Sequence, residues 1–67
     1  MDTHQKIRKL REANNWSQEE MAGKLNLSRN NYANIENGQT KLFSEKLLEI
    51  ADIFGVELHD LLNPDMR

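Results

Sequence analysis

Four asparagines crowd one short stretch, Asn30, Asn31, Asn34 and Asn37, directly after Arg29. These are side-chain types that pair with base edges in the DNA major groove. The Arg fork fits guanine O6 and N7, and the Asn amide fits adenine N6 and N7. Helical spacing puts Arg29, Asn30 and Asn34 on a shared exposed face, as candidate base readers, with Asn31 also facing outward. Asn is a weak helix former, costing up to about 0.7 kcal/mol against Ala in a helix interior. A segment shaped by folding alone would not be loaded this way, and such local conflicts tend to mark functional sites. The plain alternative is a solvated polar segment.

Two short helices joined by a tight turn must position these residues, over Ser17 to Gly38. Ser17 with Glu20 forms a capping box for the first, and Trp16 with Met21 fits a hydrophobic staple. Met21, Ala22 and Leu25 point inward by the i, i+3, i+4 rule. Ala22 is small enough for a close helix crossing, and Gly23 suggests a close backbone approach. Asn26 tolerates the left-handed turn that follows. Ser28 caps the second helix. Tyr32 and Ile35 are its inward residues, with the Tyr32 hydroxyl reaching the edge for a partner. Gly38 ends it.

Residues 6 to 62 resemble the helix-turn-helix domain of the Cro/C1 repressor family, also called the XRE family. The matching residues begin with Ile7, Arg8, Leu10 and Arg11, then Trp16 to Ala22. They continue with Leu25, Leu27-Ser28, Ile35 to Gly38, Leu47-Leu48 and Ile50-Ala51. Phe54-Gly55-Val56, Leu58 and Asp60-Leu61-Leu62 complete the match. Ser-Gln-Glu, Ala, the turn, Ile-Glu-x-Gly and Gly-Val are jointly specific in this order. The resemblance implies an all-α, five-helix, lambda-repressor-like fold that binds operator DNA as a homodimer. It implies an ion pair between Arg11 and Glu36, for which the planar Arg fork is suited. It also carries a DNA-backbone role to Gln18, whose place at a helix start favours a phosphate. Asn37 and Lys41 flank the end of the recognition helix as further phosphate candidates, and Ser28 and Asn31 join the backbone set. Solvated side chains remain the alternative at Gln18 and Lys41. The Pro that the family often places near Leu42 is missing, which suggests a looser loop.

The remaining elements frame this unit. Asp2 with Gln5, or Thr3, caps a first helix expected to run to about Asn14, with Ile7, Leu10 and Ala13 or Asn14 inward. Ser44 is expected to cap a fourth helix, with Phe43 stapled to Leu48. That helix is more apolar than one buried face needs. The surplus around Ile53, Leu58, Leu61 and Leu62 suggests a partner surface. Gly55 closes it, and a short fifth helix over Leu58 to Leu62 stops at Asn63-Pro64.

At 67 residues the chain is expected to form one domain, 1–67. It has no Cys, so a helical Leu and Ile core must stabilise it without disulfides. A net charge of -2 is unusual for a nucleic-acid binder, but its distribution is uneven. Residues 1 to 46 carry eight cations and six anions, whereas residues 47 to 67 carry one cation and five anions. A DNA-facing half and an acidic back half follow. No apolar run suits a signal peptide or membrane span, so a cytoplasmic location is expected. His4 and His59 lie far apart without ligand spacing, so no metal site is expected. Ser17, Ser28 and Ser44 have capping explanations, and no nucleophile–base arrangement suggests an enzyme. No cofactor or small-molecule ligand is expected.

These features point to a sequence-specific transcriptional regulator, expected to repress by occupying a two-fold operator. Two alternatives stay open. One is the DNA-binding antitoxin of a toxin–antitoxin pair. The other is a protein-interaction module that kept the fold without DNA binding.

Overall fold

The computed structural model describes residues 2–62, so the Asn63-Pro64 stop lies outside it. Five helices follow in order: α1 Thr3–Ala13, α2 Gln18–Lys24, α3 Arg29–Glu36, α4 Ser44–Phe54 and α5 Leu58–Leu62. The pair α2 and α3 forms the helix-turn-helix unit, and α1 lies behind it against α3, α4 and α5. The inward residues of all five helices meet in one core. Ile7, Met21, Leu25, Tyr32, Ile50 and Leu61 are its largest fully buried side chains. Burying each aliphatic one contributes about 1.5–3 kcal/mol.

The helix starts follow local chemistry. Ser17 Oγ accepts from the Glu20 N–H at 3.0 Å, and Glu20 Oε1 accepts from the Ser17 N–H at 2.8 Å. At α1, Gln5 Oε1 accepts from the Asp2 N–H at 3.2 Å. The helix ends share one device. The N–H groups of Trp16, Leu27, Gln39 and Val56 return to the carbonyls of Arg11, Ala22, Asn34 and Ala51. Each of these bonds spans a residue with positive φ: Asn15, Asn26, Gly38 or Gly55. This is the Schellman motif, and it closes the four longest helices. The residue after the left-handed one is apolar and packs against the core at Trp16, Leu27 and Val56. It is the exposed polar Gln39 only after α3.

Several expectations are corrected by packing. The inner face of α1 ends on Arg11, which is buried, while Ala13 and Asn14 are exposed. Helix α4 starts one residue early, with Phe43 in the cap position and no side-chain capping bond, so Ser44 already lies in the first turn. Phe43 and Leu48 are 69% and 53% exposed, so no staple buries them; Leu42 packs against the core instead. Leu61 is only 1% exposed and belongs to the core, with Ile53 and Leu58 packed against it. The surplus foreseen as a partner surface is therefore largely spent inside, because α5 folds back onto α1 and α4. Of those four residues, only Leu62 is exposed. Gly23 meets no close neighbour among the described residues: a Cβ there would have none of them within 4 Å.

Candidate nucleic-acid interface

The recognition helix is fixed at both ends. Ser28 Oγ accepts from the Asn31 N–H at 3.1 Å, which sets the start of α3. Gly38 adopts φ 75° at its end, and the His4 imidazole lies over it, 3.1 Å from where a Cβ would stand. Both the backbone angle and the close ring favour glycine there. Between these ends, Arg29, Asn30 and Asn31 are exposed and Asn34 is half-buried. Asn37 is exposed at the C-cap, and Lys41 is exposed in the loop beyond. Among the described residues, none of these six side chains makes a hydrogen bond or ion pair. Their donors therefore face solvent with their hydrogen-bonding capacity unspent.

Beneath this surface lies a buried polar hub. Arg11 Nε meets Glu36 Oε2 at 2.5 Å, and Arg11 Nη2 meets Oε1 at 3.2 Å. The Glu36 side chain is 2% exposed. Arg11 Nη1 also donates to the Trp16 carbonyl at 2.7 Å, tying the α1–α2 turn to the same group. The Tyr32 hydroxyl donates to Glu36 Oε2, and Gln18 Nε2 donates to Oε1 at 3.0 Å. No buried side-chain polar atom among the described residues lacks a partner.

The electrostatics follow from these bonds. Burial alone pushes the Glu36 carboxyl up, but donors from Arg11, Tyr32 and Gln18 outweigh it and hold it below the usual glutamate value. The hydrogen bond to Glu36 holds the Arg11 guanidinium above its usual value. Burial, then the bond to Glu36, pushes the Tyr32 phenol well up, so it stays a donor. The hub thus binds α1, α2 and α3 through one ionised carboxylate.

The expected Arg11–Glu36 pair is present. Arg29, Asn30, Asn31 and Asn34 occur together on α3, with Asn37 and Lys41 beyond its end. Gln18 stands at the start of α2, with its amide turned to Glu36. Sequence spacing missed the Tyr32–Glu36 bond, although the two lie four apart on one helix. Nothing in the local sequence marks the Gln18–Glu36 bond, which forms only when α2 crosses α3. Trp16 has a distant aromatic partner in Phe54, with centroids 5.8 Å apart and planes 16° from parallel. Lys24 Nζ covers that ring at 4.4 Å.

A family model described as a helix-turn-helix domain matches residues 5–64 of the chain. The chain belongs to the XRE helix-turn-helix family. A search of curated proteins found none that matches it. As a member of this family, the XRE domain is a sequence-specific DNA-binding transcriptional regulator and not an enzyme. Among the described residues of this XRE domain, no group of three or more His, Cys, Asp or Glu can hold a metal ion. Nor is any helix long and apolar enough to cross a membrane.

Proposed function

We propose that this XRE domain represses transcription by occupying a two-fold operator as a homodimer. Arg29, Asn30 and Asn34 read bases in the major groove. Gln18, Ser28, Asn31, Asn37 and Lys41 position the protein on phosphates. The observation that carries this reading is the exposed first turn of α3, where the Arg29 and Asn30 side chains have no partner among the described residues. That turn is the part of a recognition helix that reaches base edges. The conflict noted in the sequence supports it too, because the weak helix formers Asn30 and Asn34 are kept within α3 where readout chemistry needs them.

The dimer is supported by size. One such domain covers half a site, and dimers of this motif place half-sites about 34 Å apart, one helical turn. Repression follows from occupancy, since a bound dimer excludes polymerase from an overlapping promoter. Selection of bound sites from random DNA, then sedimentation on the selected duplex, tests both parts. The expected result is a palindromic consensus carrying two protomers. No enriched sequence, or a strict one-to-one complex on a palindrome, overturns the reading. A reporter with the selected site over a promoter then distinguishes repression from activation.

A further inference from the structure

Beside the recognition helix runs a groove of about 280 Å³, open along one side. Ile35 of α3, only 3% exposed, forms part of its floor. Leu27, Leu42 and the exposed ring of Phe43 give it apolar walls. Among the described residues its rim carries Lys41 and Lys46 and no carboxylate, on a chain with more acids than bases. Lys41 has no ion-pair partner among the described residues, and Lys46 pairs only with Glu49 at 3.1 Å.

From this we infer that the groove between α3 and α4 docks an acidic peptide segment of another protein, through one large apolar side chain. The apolar side chain fills the space over Ile35 and against Phe43. Neighbouring carboxylates meet Lys41 and Lys46. DNA explains only the rim of this groove. A duplex offers phosphates to the lysines, but no apolar group large enough to cover a 69% exposed Phe and the walls behind it. A small molecule fits poorly, because ligand pockets bury 70–90% or more of a drug-sized ligand, and an open groove on so small a domain cannot. A peptide brings its own cover and seals the groove and Phe43 together.

Asn31 lines the same groove, and Lys41 stands on its rim. A docked peptide therefore covers two of the proposed DNA-backbone contacts, and peptide and operator exclude one another. The exclusion rests on the proposed function; the docking does not.

The test pans a phage-displayed library of random peptides against the full chain. The best enriched peptide is then synthesised and titrated by NMR. Expected sequences combine Phe, Leu or Trp with Asp or Glu, and shift perturbations centre on Leu27, Ile35 and Phe43. Phe43→Ser should weaken that peptide about ten-fold while leaving operator affinity within about two-fold, because the ring is exposed and lies outside the DNA set. Peptide at ten times its dissociation constant should weaken operator binding about ten-fold by simple competition. Basic or uncharged winners, or equal binding to Phe43→Ser, overturn the docking. A shift in the oligomeric state of Phe43→Ser would assign the groove to a second copy and overturn it as well. Simultaneous binding of peptide and operator overturns the exclusion alone, and failure of wild type on its selected operator strikes the proposed function instead.

Discussion

Arg11 reaches from α1 across the core edge and grips the carboxylate of Glu36, the last residue of the recognition helix, with two hydrogen bonds. This one contact ties the element behind the helix-turn-helix unit to the element that faces DNA. A third bond, to the Trp16 carbonyl, fixes the turn between α1 and α2 by the same side chain. Removing Arg11 would leave an ionised carboxylate buried without its cation.

Arg11→Ala should therefore destabilise the domain by about 3 kcal/mol, the usual cost of breaking a buried pair from one side. Lys9→Ala, on the exposed face of α1, should cost under about 0.5 kcal/mol. Arg11→Lys should fall between, since an ammonium cannot hold both carboxylate oxygens and the Trp16 carbonyl in one plane. Urea midpoints of the three variants check the order. Equal midpoints for Arg11→Ala and Lys9→Ala would reduce Arg11 to a surface charge.

Stability should fall in acid through Glu36. Its folded pKa lies below the unfolded one, so the unfolded chain binds the proton first as pH drops. The stabilisation is complete above the ordinary glutamate value, about 4.3. It is lost progressively below that, as pH falls through the folded value. Glu36→Gln should lower stability near neutral pH and flatten this acid limb. Midpoints measured across the acid range, for wild type and variant, check the sign. Parallel curves would place the titration elsewhere.

The turn between α2 and α3 depends on the left-handed conformation of Asn26, at φ 59°. Asn26→Ala should cost about 1–2 kcal/mol, the usual penalty for a Cβ residue in that region. Asn26→Gly should be neutral or slightly stabilising, because glycine adopts it freely. At Gly23 the reverse holds. The added Cβ meets open space, so Gly23→Ala should stabilise α2 by up to about 1 kcal/mol. Thermal melts of these variants give the four-way comparison, and a destabilised Gly23→Ala would reveal a constraint on α2 that packing does not show.

Base reading and backbone anchoring should separate by mutation. Arg29→Ala should cost about 1–3 kcal/mol of operator affinity and relax the preference at one base pair. Lys41→Ala should weaken all sequences nearly equally and flatten the salt dependence by about one unit. A panel of single-base operator variants at two salt concentrations distinguishes them. Uniform loss in Arg29→Ala would move specificity to Asn30, Asn34 or DNA shape.

Local sequence determined the helices and their ends. Ser17 and Ser28 announce their helix starts by short-range hydrogen bonds, and Asn26, Gly38 and Gly55 announce left-handed turns because their own side chains, or lack of one, permit positive φ. The asparagine cluster after Arg29 was visible for the same reason, since its conflict with helix propensity is local. Resemblance to the XRE family, carried by motif order, made the Arg11–Glu36 pair legible across 25 positions. What the sequence could not disclose was who shares a buried site. Gln18, Tyr32 and the Trp16 carbonyl converge on the Arg11–Glu36 pair only when three helix axes cross, and Trp16 finds Phe54 only when the end of α4 folds back. The division of apolar residues between core and surface was equally a tertiary matter. Leu61 and Phe43 look alike along the chain, yet α5 buries one and the α3–α4 loop leaves the other in water. Capping and turn energies act within a few residues, whereas burial is set by how distant elements enclose one another.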